Sequence, residues 1–248
     1  MEEQHPLPPA PSLGSTFMNV FTSPSEAFEG LATSAPSAKL WVIPFVIALL
    51  LAITATFIIS NVDVLHTQII EQQQKQLDKA LQENKITQER YDQTMNGMEK
   101  MGPMFLVFGS IGAVIVISLM FFLYTLLLWL VDKFILKAVA GYGKHLELYG
   151  ITSWIAILGT IVSMGMWIGF GSMYANPSAG LAVLNEFDPS NKLHGLLAAL
   201  NIFGLWQTAV VGIGLEKFSG KSLGMSMTIS FGIWAVWTVI LILLGMSR

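Results

Sequence analysis

Few side chains in this sequence have the types and the spacing that catalysis or metal binding requires. The four histidines, His5, His66, His145 and His194, lie far apart, and no HExxH pair is present. Cysteine is absent, which excludes disulfides, thiolate metal ligands and cysteine nucleophiles. Neither GxxxxGK[ST] nor GxGxxG, the glycine patterns of nucleotide-binding loops, occurs. The sequence therefore predicts no enzyme activity, no catalytic or metal-binding residue and no cofactor.

The strongest candidates for a polar site are the two amide side chains of one long apolar stretch. Asn201 and Gln207 lie there with Trp206 between them. Six positions correspond to about 600° of helix rotation, so the two amides point about 120° apart. An amide surrounded by lipid must find a hydrogen-bond partner. Two roles are open: a contact between helices, or a polar site for a lipid headgroup or a solute.

The composition places these residues in a membrane. Hydrophobic residues make up 53% of the 248 residues, charged residues only 12%, and the net charge is −3. Soluble domains carry about 25% charged residues, and the mean hydropathy of this chain is +0.61. These values exclude a nucleic-acid binder, a disordered protein and an ordinary soluble enzyme. They indicate a polytopic protein whose main partner is the lipid bilayer.

Uncharged stretches of about 20 residues are long enough to cross a bilayer as helices. The helix is the conformation in which such a stretch satisfies its own backbone hydrogen bonds in lipid. Five such spans are predicted at about residues 40–62, 103–131, 148–174, 193–215 and 223–246. The predicted fold class is therefore an all-α polytopic membrane protein with five transmembrane helices. No span contains a charge. Asp132 and Glu147 sit at span ends, where we expect water to reach them.

The segment before the first span is predicted to have two parts. Residues 1–16 are rich in proline and lack the apolar core of a signal peptide, which indicates a disordered tail. Residues 17–38 form a cytoplasmic or interfacial segment. Within it, a short amphipathic helix should run from Ser23 to about Gly30, because Ser23 and Glu26 have capping-box spacing and Pro24 suits the first helical position.

This N-terminal segment has two alternative roles. It packs against the bundle or lies among the headgroups, or it is the contact for a protein partner. The candidate contact residues are Phe21, Ser23, Pro24, Glu26 and Phe28.

The polar insert 63–100 holds 12 of the 29 charged residues. Its apolar residues recur at helical spacing, Asn84-Lys85 reads as a break, and Thr87 can cap a second helix. A helical hairpin outside the membrane is predicted, either as a simple connector or as an interaction surface.

Lysine and arginine near the span ends set the orientation. With the N-terminus in the cytoplasm, that side holds Lys39, Lys133, Lys137, Lys144, Lys217 and Lys221, against Lys100, Lys192 and Arg248 outside. The predicted topology is N-terminus in and C-terminus out. Small residues four apart, such as Gly159 and Ser163, allow close helix approach within the bundle or, as the alternative, in a homo-oligomer.

Several local patterns together resemble a known family. They are Ser23-Pro24-Ser25-Glu26-Ala27-Phe28, Gly141-Tyr142-Gly143, Tyr149-Gly150, Asn201-Ile202-Phe203-Gly204-Leu205-Trp206 and Gly212-Ile213-Gly214-Leu215. With five spans and a charged insert after the first, residues 17–246 resemble the bacterial branch of the Yip domain family, relatives of the eukaryotic Ypt/Rab-interacting proteins.

The resemblance implies a bacterial inner-membrane protein without catalytic activity that acts as an adaptor or membrane organiser. Family members often carry an acid where this chain has Asn201. The alternative function is a transporter or channel for a small solute or lipid that uses the amides of the fourth span.

Overall fold

The computed structural model of this chain describes residues 7–100 and 102–245, and its regular elements there are helices. They are α1 (Leu13–Thr22), α2 (Pro24–Phe28), α3 (Lys39–Asn61), α4 (Asp63–Gln82), α5 (Gln88–Lys100), α6 (Gly102–Val131), α7 (Tyr142–Phe170), α8 (Lys192–Ala199), α9 (Ile202–Ser219) and α10 (Leu223–Leu243). A π-helical turn, Asp132–Leu136, continues α6, and a 3-10 helix, Ala179–Glu186, precedes α8. The predicted all-α class is confirmed.

Four helices of the described chain are long and apolar enough to cross a membrane. They are α3, α6 with its π-helical extension (Leu106–Leu136), α7 and α10. Their outer faces leave large apolar side chains exposed, such as Ile115 on α6 and Val236 on α10. Apolar surface of this extent suits contact with lipid. The structure thus contains four of the five predicted spans as single helices.

The stretch predicted as the fourth span, residues 193–215, is divided between α8 and α9. Leu200 and Asn201 separate the two helices. The Asn201 Oδ1 atom accepts hydrogen bonds from the backbone N–H groups of Phe203 (2.9 Å) and Gly204 (3.3 Å), which makes Asn201 the N-cap of α9. The Ile202 N–H donates to the Pro177 carbonyl at 3.0 Å. The break therefore follows from the capping of α9 by Asn201. Counting apolar residues, as the prediction of the fourth span did, cannot detect such a cap.

Close contacts between backbones define the core of the bundle. Trp41, near the start of α3, lies against Gly150, near the start of α7. Val64, just after α3 ends, lies near Gly171, just after α7 ends. The two helices therefore run in parallel. At Gly150 there is no room for a side chain, since an added Cβ would lie 2.4 Å from the Trp41 Cα.

The α9 helix runs opposite to α7, because Phe203 contacts Gly159 and Leu148 contacts Gly214 at the other end. The next helix, α10, runs back along α9. Its Ser230 hydroxyl donates to the Thr208 carbonyl at 2.6 Å. The membrane-spanning helices thus pack through small residues, as membrane bundles often do.

The N-terminal segment is folded onto the bundle. Val20, Phe28 and Leu31 are fully buried in the hydrophobic core. The ring of Phe17 packs edge-on against Trp154, with centroids 4.9 Å apart. This segment therefore belongs to the folded unit, as the packing alternative anticipated.

Two local details of this segment differ from the prediction. The α1 helix begins at Leu13, within the stretch predicted as a disordered tail, and the Ser12 side chain caps it. The Pro8 carbonyl also accepts a hydrogen bond from the Ala35 N–H at 2.7 Å; residues 1–6 lie outside the described chain. The helix predicted from Ser23 is α2, but the Ser23 side chain makes no capping bond.

The polar insert forms the predicted helical hairpin, α4 and α5. Asn84 takes a left-handed conformation at the turn (φ 54°), and the Thr87 hydroxyl accepts from the Arg90 N–H at 3.3 Å. The Tyr91 hydroxyl donates to the Asp78 carboxylate at 2.7 Å and joins the two helices. At the base of α4, the Gln68 side chain bonds the chain after α7, donating to the Gly171 carbonyl and accepting from the Met173 N–H.

A substitution at Gly150 tests the contact between α3 and α7. We expect Gly150→Ala to destabilise the protein by about 1–3 kcal/mol, because the new methyl group would overlap the backbone of Trp41. Gly165→Ala is the matched control on the same helix, since nothing lies within 4 Å of its added Cβ. The measurement is unfolding of the purified protein by SDS in mixed micelles. Equal midpoints for the two variants would contradict this packing.

Candidate functional site

Four ionisable side chains are buried together where the N-terminal segment meets the bundle. Asp132 belongs to the π-helical turn, and Lys144, His145 and Glu147 to the first turns of α7. Their exposed fractions are 0% for Asp132 and His145, 2% for Glu147 and 9% for Lys144. The expectation that water reaches Asp132 and Glu147 is therefore wrong. The N-terminal segment and the connector before α7 cover these side chains, and neither contact could be inferred from span length.

The Lys144–Glu147 ion pair fastens the N-terminal segment to α7. The Lys144 Nζ atom lies 2.8 Å from Glu147 Oε2. It also donates to the Ser34 hydroxyl (3.1 Å) and the Ala35 carbonyl (3.2 Å). The Glu147 Oε1 atom accepts from the Ser37 N–H at 2.8 Å. An ammonium group has three donors, and each has an acceptor here, so the pair meets the condition under which a buried ion pair is tolerated.

The Asp132–His145 pair joins the π-helical turn to α7. The His145 Nδ1 atom lies 3.0 Å from the Gly141 carbonyl, and its Nε2 atom lies 2.8 Å from Asp132 Oδ2. A carbonyl oxygen can only accept, so Nδ1 carries a proton and donates it. The Nε2 atom faces the carboxylate, so the imidazole ring links the Gly141 carbonyl to Asp132.

The surroundings of this pair are unusual in two respects. The Asp132 Oδ1 atom is buried without a hydrogen-bond partner among the described residues. The π-helical turn that carries Asp132 is followed by Lys137, which caps the turn in a left-handed conformation (φ 63°). Single π-helical turns often occur at functional sites. The ring of Phe218 from α9 packs edge-on against His145 and closes the pair off from that side.

The chemistry of this buried cluster is electrostatic. Across the residues that the structure describes, no three His, Cys, Asp or Glu side chains converge as metal ligands would. The cluster connects three parts of the chain: residues 34–37, the connector 132–141 and α7. Its one visible signal in the sequence is the favourable spacing of Lys144 and Glu147 at i and i+3. Nothing in the sequence pointed to Ser34 or His145.

The two predicted amides line one cavity, but Trp206 does not. Asn201 and Gln207 both border a cavity of about 620 Å³ between α3, α6, α7, α9 and α10. The Asn201 Nδ2 atom donates to Asn176 Oδ1 at 3.3 Å, and the Gln207 Nε2 atom to the Thr152 hydroxyl at 3.4 Å. Trp206 instead packs against the ring of Phe21. The structure therefore brings both amides to one cavity although the sequence placed them 120° apart, because Asn201 is the extended N-cap of α9 and does not follow the helix rotation.

The predicted partner-contact residues fall into three groups. Glu26 is exposed, while Phe21, Ser23 and Pro24 are half-buried. Phe28 is fully buried against α9 and the rest of the core. Phe28 therefore holds the segment in place, and only the outer face of the segment is exposed.

The apolar helices and the folded N-terminal segment define a polytopic α-helical membrane protein. The family model of the Yip1 domain matches residues 18–246, nearly the whole chain. The chain belongs to the Yip1 domain family, which confirms the resemblance to the Yip domain family drawn from the sequence. Neither the curated proteins nor the solved structures that were compared contain a match.

Breaking the Lys144–Glu147 pair should weaken the attachment of the N-terminal segment. We expect Lys144→Met to destabilise the protein by about 3–5 kcal/mol, because it leaves the Glu147 carboxylate buried without its cation. Cleavage within residues 13–37 should also become faster. The measurements are SDS unfolding and limited proteolysis read by mass spectrometry.

The matched control for this prediction is Lys85→Met in the hairpin. Lys85 pairs with Glu83 at 2.6 Å, but the two side chains are 70% and 40% exposed. Exposed pairs contribute about 0–1 kcal/mol, so this variant should resemble the wild type. If both variants lost the same stability, burial of the Lys144 pair would not be what holds the segment.

Proposed function

We propose that this protein is a non-enzymatic adaptor or membrane organiser of the bacterial inner membrane, whose folded N-terminal segment presents the contact surface for a protein partner. The observation that carries the proposal is the attachment of residues 13–37 to the bundle by Lys144 and Glu147. A segment held in one conformation presents a fixed surface, which lowers the entropy cost of binding. Membership of the Yip1 domain family, over residues 18–246, supports a membrane role.

The proposed topology has five crossings, with the N-terminus in the cytoplasm and the C-terminus outside. In it, α8 and α9 together form one broken crossing between α7 and α10. Broken helices are compatible with a membrane where their free backbone groups are satisfied by protein. Asn201 and the Pro177 carbonyl satisfy them here. The excess of lysine on the side of the N-terminal segment supports this orientation.

The contact surface is the outer face of α2 and of the residue that follows it. Glu26 and Glu29 are exposed there. Phe17 of α1 packs instead on Trp154 of α7. Exposed carboxylates suit a partner that offers basic groups.

We do not adopt transport as the function. The Asn201 side chain caps α9 with its oxygen and reaches Asn176 with its nitrogen. Its hydrogen bonds are therefore committed to the fold rather than to a passing solute.

The experiment is in-cell crosslinking followed by mass spectrometry. We expect Glu26→Lys/Glu29→Lys to lower the yield of a crosslinked partner about tenfold, since like charges would then face its basic groups. The control, Glu71→Lys/Glu83→Lys in the hairpin, makes the same change in net charge on other exposed positions and should leave the yield unchanged. All forms must reach the membrane at equal levels. An equal loss in both variants, or no partner with the wild type, would refute the adaptor function.

A further inference from the structure

The cavity beside the two amides is lined, among the residues that the structure describes, by uncharged side chains. It has a volume of about 620 Å³, and its 26 lining residues are apolar, aromatic, hydroxyl or amide in character. Pockets for small organic ligands commonly measure about 300–1,000 Å³ and are mostly apolar, with a few polar groups. Size and lining therefore fit one amphipathic molecule without charge.

The cavity lies at membrane depth. Ala48 and Ala55 border it from the middle of α3, and Ala156 and Thr160 from the middle of α7. Both helices are long and apolar enough to cross a membrane. The molecules available at this depth are lipids, so the occupant is expected to enter from the bilayer rather than from water.

Three of the hydroxyl groups on the cavity wall use their donors within their own helix. Ser153, Thr160 and Ser163 donate to the carbonyls four residues earlier in α7, at 2.7–2.9 Å. Hydrogen bonds of this kind satisfy the donor within its own helix. These three hydroxyls therefore offer a ligand acceptor capacity only.

Gln207 is the group best placed to bind a polar part of the occupant. Its amide offers two donors and an oxygen with two lone pairs. The structure uses it for a long bond of 3.4 Å to Thr152 and a contact with the Tyr149 hydroxyl. The side chain is only half-buried and borders the cavity, so its amide oxygen can accept a hydrogen bond from a ligand hydroxyl.

From these observations we propose that the cavity binds one uncharged lipid that carries a hydroxyl group, of the diacylglycerol class. An acyl chain lies along the alanine-lined wall formed by α3 and α7, and the hydroxyl bonds the Gln207 amide. A phospholipid fits less well, because its phosphate would meet no cation among the lining residues. This inference does not depend on the partner proposed for the N-terminal segment.

The test uses the full-length protein reconstituted in phosphatidylcholine vesicles. Two photoactivatable probes carry the same labelled acyl chain, one as diacylglycerol and one as phosphatidylcholine. Mass spectrometry then maps the labelled peptides. We expect diacylglycerol to label the α3 and α7 peptides at the cavity about tenfold more than phosphatidylcholine does. Unlabelled diacylglycerol should compete with the diacylglycerol probe, although the vesicles already contain a large excess of unlabelled phosphatidylcholine.

Two variants separate the cavity from general lipid contact. Ala156→Leu fills part of the cavity and should reduce the diacylglycerol labelling to the level of the phosphatidylcholine probe. Ala235→Leu makes the same change on the exposed face of α10 and should not alter it. Gln207→Leu should remove the preference for diacylglycerol, because it keeps the volume and removes the amide.

Three results would overturn the proposal. They are equal labelling by the two probes in the wild type, no competition by unlabelled diacylglycerol, or labelling that Ala156→Leu leaves unchanged. The competition experiment needs no variant, so the proposal can be refuted even if Ala156→Leu does not fold.

Discussion

The buried ion pair of Lys144 and Glu147 is the interaction on which the N-terminal end of this bundle depends. Removing two charges from water is costly, and the cost is offset only when each charge is well paired and hydrogen-bonded. Here the acceptors and donors come from residues 34–37 as well as from the pair itself. The ion pair and the segment therefore need one another, which explains how α1 and α2 are held on the bundle without a span of their own.

The Asp132–His145 pair extends this arrangement to the connector between α6 and α7. The contact between Asp132 and His145 holds the π-helical turn against the first turn of α7. With Phe218 of α9 packed on the His145 ring, one small region joins four parts of the chain. Residues 34–37, the connector, the first turns of α7 and the end of α9 therefore depend on one another for their positions.

At membrane depth, the interrupted helix α8–α9 shapes the cavity. Phe203 packs on Gly159, and Asn201 caps α9 at about the same level as the middle of α7. A continuous helix would place residues 193–201 along the axis of α9. In the structure, Leu200 and Ile202 instead form backbone hydrogen bonds with the loop after α7. The break thus sets Asn201 and Gln207 on one cavity, the arrangement on which the lipid proposal depends.

The sequence by itself determined the helical class, four of the membrane-crossing helices, the hairpin break near Asn84 and the family, because long uncharged stretches have one way to satisfy their backbone in lipid. Only the tertiary structure decided that Asp132 and Glu147 are buried, that Phe28 is an anchor, and that α9 starts at Asn201. Burial depends on which distant segment covers a residue. Span length and local spacing carry no information about residues 34–37 meeting α7, more than 100 positions along the chain.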